Sequence, residues 1–181
     1  MAEYELPDWY KQIALEADKR SAELDKQIKK LTVNIENMRQ EIGGIASSNG
    51  AMAEEMIYNV LEKDKTFANI KFDEIDRNIK LKLKKFNLEG EFDIILQNGD
   101  TLAIIETKYK VREKDVFELV HKKLDNFRKL FPMFSDYKIL LGIGGMSFED
   151  NSEEDAKDKG IGIIKIVGDK VEYYTEGIRL Y

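Results

Sequence analysis

The chain has 181 residues, of which 43% are hydrophobic and 35% charged; it holds no cysteine and a single histidine, His121. That is enough apolar material for one domain with a core, plus a solvated extension, and it excludes disulfides, cysteine-ligated zinc, thiol catalysis and histidine-rich metal centres. The net charge of −6 disfavours unaided tight binding to nucleic acid, yet residues 101–131 carry 8 basic against 5 acidic side chains, a local stretch able to follow phosphates.

The opening residues, MAEYELPDWY, lack the basic and apolar regions of a signal peptide. No apolar run approaches the ~18 residues of a membrane span, so the expectation is a cytoplasmic protein with no membrane partner. Residues 8–42 contain neither Gly nor Pro. Leu24, Ile28, Leu31, Ile35, Met38 and Ile42 are spaced alternately by four and three, a heptad seam. β-branched residues at one core position and Leu or Met at the other favour a parallel two-stranded coil. The spacing therefore predicts a helix over 8–42 that forms a homodimer. Gly43-Gly44 and the run Ser47-Ser48-Asn49-Gly50 read as a break and a linker, which puts the boundary at 45 and the domains at 1–45 and 46–181.

A second helix is expected over 51–63, with Met52, Met56, Ile57, Val60 and Leu61 on its apolar face. Alternation over 73–84 predicts a strand whose exposed side carries Lys80, Lys82 and Lys84. Two apolar runs, 91–96 and 102–109, flank Asn98-Gly99, a hairpin signal. Residues 112–131 have helical periodicity, and Pro132 ends it. Tyr137–Ile143 is a short strand, with Gly142, Gly144 and Gly145 read as a bend at its end. The acidic stretch 149–158 is a surface loop or helix. Ile161–Val167 and Val171–Tyr174 are two strands around a Gly168-Asp169 turn. This order predicts a mixed β-sheet flanked by helices.

With Asn98-Gly99 as the turn, Asp93 would lie across from Ile104, and Asp93, Glu106 and Lys108 would share a face. Two carboxylates and an ammonium amid Leu102, Ala103, Ile104 and Ile105 need pairing or a cation, and hard oxygen donors suit Mg²⁺ or Mn²⁺.

Asp93, followed thirteen residues on by Glu106-Thr107-Lys108 in a hairpin preceded by a glutamate-bearing helix, resembles the PD-(D/E)XK nuclease superfamily over roughly residues 50–175. The resemblance implies a restriction-endonuclease-like α/β fold and a Mg²⁺- or Mn²⁺-dependent phosphodiester hydrolase. By this resemblance Asp93, Glu106 and the Thr107 backbone carbonyl would hold the metal. Lys108 would position or activate water, and Glu54, with Glu55 as the alternative, would be the first-helix acid near the metal. Phe92 stands where the family has Pro, and no Gln-x-x-x-Tyr follows Lys108, which argues against the exonuclease-like branch. The implied substrate is nucleic acid, most simply DNA cut by an endonuclease dimerised through its coil. Lys80, Lys82, Lys84, Lys110, Arg112 and Lys114 would line the backbone path. The alternative is a catalytically inactive nuclease-fold module that binds nucleic acid or protein as an assembly factor.

Overall fold

A computed structural model describes residues 7–168 and 170–181. The chain forms two compact units, Met1–Ala46 and Ser47–Tyr181.

Helix α1 runs unbroken over Asp8–Asp64. The predicted break at Gly43-Gly44 and the linker over 47–50 are absent: both segments are helical. Glycine inside a helix costs only ~1 kcal/mol relative to alanine, and without proline nothing removes a backbone donor or clashes with the preceding turn. In the first unit every described residue is exposed. The seam residues Leu24, Ile28, Leu31, Ile35, Met38 and Ile42 are among its exposed large hydrophobics.

The second unit begins with the last turns of α1, whose Ala53, Ile57 and Leu61 are fully buried. A two-stranded ladder, β1 (Thr66–Phe67) with β2 (Ile70–Lys71), follows. The main sheet is built from β3 (Glu74–Leu83), β4 (Leu88–Asn98), β5 (Thr101–Val111), β6 (Lys138–Phe148), β7 (Gly162–Val167) and β8 (Lys170–Tyr174). Among the described residues their order in space is the order in sequence. The pairs β5–β6 and β6–β7 are parallel and the others antiparallel, a mixed sheet. Between β5 and β6 lie α2 (Glu113–Glu118), a π-helical turn (Leu119–Lys123) and α3 (Leu124–Leu130). Helix α4 (Ser152–Asp158) connects β6 to β7. The acidic stretch is thus partly helix, and Asp169 of the expected last turn lies outside the described residues.

Helices cover both faces, so the central strands are buried on both sides and read as continuous apolar runs. One core lies against α2 and α3 and includes Phe92, Leu102, Ile104, Val116, Leu119, Phe127 and Ile143. The other lies against α1 and includes Ile57, Leu61, Phe67, Ile94, Leu96, Ile105 and Ile164. Each large side chain so buried contributes ~1.5–3 kcal/mol.

Gly142, Gly144 and Gly145 lie within β6, which extends five residues past the predicted end. They are points of close approach rather than a strand-end bend. A Cβ on Gly144 would sit 2.5 Å from Ile57 Cδ1, and one on Gly142 would sit 2.9 Å from both Ile105 and Phe67. The missing side chains let α1 and β1 press onto the sheet.

Candidate active site

The β4–β5 hairpin turns one residue later than the sequence suggests. Asn98 pairs with Thr101, so Gly99-Asp100 is the turn, with Gly99 at φ +36°. Extending this register places Asp93 directly across from Glu106 rather than Ile104. The change slides the pairing by two residues on one strand, which preserves the alternation of faces. Glu106 and Lys108 therefore still share a face with each other and a border with Asp93.

The ladder from β3 to β4 runs from Glu74↔Gln97 to Leu83↔Leu88 but skips Asn78 and Asp93. Asn78 has φ +54°, a left-handed conformation that asparagine tolerates better than most residues. The strands change faces across this irregularity. Ile75 and Ile94 pack in the core under α1, while Ile79 and Phe92 pack in the core under α2 and α3. Such a break in pairing re-aims a side chain; here it brings the Asp93 carboxylate to the seam between the two cores.

Asp93 and Glu106 are both buried, at 9% and 6% exposure. Asp93 Oδ2 accepts a hydrogen bond from the Thr107 backbone N–H at 2.7 Å and another from the Thr107 hydroxyl at 3.0 Å. Glu106 Oε1 accepts from the Lys108 ammonium and Glu106 Oε2 from the Lys123 ammonium. Lys123 Nζ also lies 4.0 Å from Asp93 Oδ1. Burial, reinforced by the neighbouring Asp93 charge, pushes the Glu106 pKa above the ordinary carboxylate value despite the two ammoniums. Burial pulls Lys108 down, but the Glu106 carboxylate outweighs it with help from Asp93, so the pKa is raised and Lys108 is held as an ammonium.

Glu54 is half-buried, whereas Glu55 is exposed. The Glu54 pKa is raised by burial first and by the Asp93 charge second, with the Asn78 side chain opposing. Glu54 is thus the first-helix acid within electrostatic reach of Asp93. No group of three or more His, Cys, Asp or Glu side chains converges as a metal cluster among the described residues. The donor set that fits a hard divalent cation is the Asp93–Glu106 pair: buried carboxylate oxygens, one carboxylate oriented by two donated hydrogen bonds.

The basic residues are arranged differently from a continuous cationic path. Lys80 pairs with Glu91 across β3 and β4 at 2.7 Å, and Lys82 pairs with Glu89. Lys84 does not share the strand; it opens the short 3₁₀ turn Lys84–Phe86. Lys110 pairs with Glu149 at 3.1 Å. Arg112 precedes α2, its backbone N–H donating to Asp115 at 2.9 Å, and Lys114 is exposed in the first turn. A groove of about 570 Å³ lined by Lys80, Lys82, Glu89, Phe92, Lys123 and Asn126 meets the cluster at Lys123, and Glu106, Lys108 and Lys123 line a separate pocket of about 180 Å³.

Lys123 and the Thr107 hydroxyl are not expected from the sequence. In the structure the buried Leu119 and Leu124 are five residues apart, more than one helical turn spans, and the π turn between them contains Lys123.

No family model matches the chain, and no curated protein matches it. Among solved structures, that of AF1548, a protein of unknown function, is similar at 16% identity over 62% of this chain, with a TM-score of 0.44. The chain spans 55% of the length of that protein. A likeness at this level identifies neither family nor function.

Proposed function

We propose that the second unit is a metal-dependent phosphodiester hydrolase of the PD-(D/E)XK type with a restriction-endonuclease-like fold, acting on DNA as an endonuclease. The observation that carries this reading is the buried Asp93–Glu106 pair at a break in strand pairing, with Lys108 on one Glu106 oxygen and Thr107 gripping Asp93. A Mg²⁺ or Mn²⁺ ion would supply charge neutralisation at a scissile phosphate. Asp93 and Glu106 would hold it, and Thr107 orients Asp93. Lys108, kept protonated by its acidic neighbours, orients the attacking water and offsets charge as it builds on the phosphate. Glu54 adds negative charge beside Asp93. The groove along β3 and β4 receives the substrate backbone, in competition with Glu89 and Glu91 for Lys82 and Lys80.

The exposed seam on residues 8–42 pairs with that of a second copy, so that two sites meet two strands. A monomer in sedimentation at tens of micromolar would refute this part.

The second reading is a catalytically inactive binding module. Its supporting observation is that ammonium groups already engage both Glu106 oxygens, which leaves the cluster self-neutralised. Nicking of plasmid and cleavage of single-stranded DNA and RNA, with Mg²⁺ or Mn²⁺, separates the two. The nuclease reading expects wild-type cleavage that Lys108→Ala lowers at least about a hundredfold. Wild-type protein that cuts none of these substrates would favour the binding module.

A further inference from the structure

Lys123 is, among the described residues, the cation that contacts both acids of the site: its ammonium is on Glu106 Oε2 and 4.0 Å from Asp93 Oδ1. The remaining carboxylate oxygens have other partners. Lys108 takes Glu106 Oε1, and Thr107 donates twice to Asp93 Oδ2. Of the four carboxylate oxygens, Asp93 Oδ1 and Glu106 Oε2 are the two that face Lys123, so a cation shared between them meets its ammonium. Two like charges at one position repel strongly in a partly buried setting, so a divalent ion and the Lys123 ammonium exclude each other there. We infer that Lys123 is a built-in counter-ion that neutralises Asp93 and Glu106 and is displaced when the pair takes up a divalent cation. The inference rests on the metal-binding reading above and adds a residue to which that reading gives no part.

Three features make Lys123, rather than Lys108, the group that leaves. Lys108 reaches Glu106 from two residues along the same strand, whereas Lys123 comes from a separate element and bridges both acids. The π turn Leu119–Lys123 inserts one residue between the buried Leu119 and Leu124 and so turns Lys123 toward the sheet, while neighbouring Lys122 pairs outward with Glu118 at 2.8 Å. Lys123 also lines the adjoining groove, with its ammonium 5.8 Å from the Phe92 ring centroid. A rotation of its flexible stem moves the charge from the carboxylates into the open groove while its apolar stem stays against Phe92.

The test compares Mn²⁺ binding by calorimetry in the full-length wild type and Lys123→Met. It also follows amine labelling of wild-type lysines by mass spectrometry with and without Mn²⁺. Removing the competing ammonium should tighten Mn²⁺ binding at least tenfold, and Mn²⁺ should raise wild-type labelling at Lys123 severalfold relative to Lys122. The labelling arm needs no variant, so it still decides if Lys123→Met fails to fold without metal. Mn²⁺ affinity in Lys123→Met equal to or below wild type, or Lys123 labelling that Mn²⁺ leaves unchanged in a protein that binds it, would overturn the counter-ion role and leave the metal site standing. If neither protein binds Mn²⁺, the metal reading itself fails and the inference falls with it.

Discussion

Replacing Thr107 by valine isolates one contact of the candidate site. Thr107 is 6% exposed, and its hydroxyl donates to Asp93 Oδ2 at 3.0 Å beside the backbone N–H bond at 2.7 Å. Valine keeps the shape and the β-branching that suits a strand, retains the backbone bond and removes the hydroxyl. Hydrogen bonds to charged groups contribute ~1.5–3 kcal/mol, and the carboxylate keeps one of its two donors, so a loss of about 2 kcal/mol is expected. For a chain of this size each kcal/mol corresponds to ~2–4 °C, which gives a fall in Tm of about 4–8 °C by scanning calorimetry in EDTA. Thr107→Ser keeps the hydroxyl and gives up a methyl worth ~0.8 kcal/mol, so it should fall less. A valine variant melting within about 1 °C of wild type, or losing less than the serine variant, would show that the hydroxyl does not hold Asp93.

The Glu106 pKa is raised, chiefly by burial and then by Asp93. The folded state therefore favours its protonated form: the contribution is complete below the unfolded value of about 4.5 and is lost as pH rises through the folded value. The Tm of wild type minus that of Glu106→Gln should accordingly decline as pH rises above the ordinary carboxylate value of about 4.5 in metal-free buffer, and a flat or rising difference would contradict the burial argument. Gly144→Ala would drive a Cβ to 2.5 Å from Ile57 Cδ1 and should cost ~1–3 kcal/mol in urea unfolding. Adding Ile57→Val should recover part of that loss if the contact is its cause, and additive losses would assign it elsewhere.

Much of the site is legible in the sequence because its signals are local. The apolar runs of β4 and β5 are dense, and strand alternation fixes which side chains share a face. Placing the turn at Asn98-Gly99 shifts the pairing by two residues, an even number, so Asp93, Glu106 and Lys108 remain together. An odd slip would scatter them. Lys123 is not legible, since its direction depends on a π turn that breaks the 3.6-residue rule used to read helices. Nor is the exchange of faces at Asn78, where one left-handed residue interrupts an alternating pattern. Gly43-Gly44 and the β6 glycines mislead for a related reason: glycine permits a turn without requiring one. In α1 the helix simply continues through the pair, and in β6 the absence of a side chain serves packing against Ile57 and Phe67.

The skipped pairing at Asn78 and Asp93 also divides the β3–β4 hairpin into two mechanical parts. The proximal half, with Ile75, Ile94 and Leu96, is anchored to α1, whereas the distal half, with Ile79, Leu81, Leu83 and Leu88, rests on the opposite core. Asp93 stands at the fulcrum between them. The distal ribbon, which carries Lys80 and Lys82, is thus joined to the anchored half at the residue that bears the carboxylate.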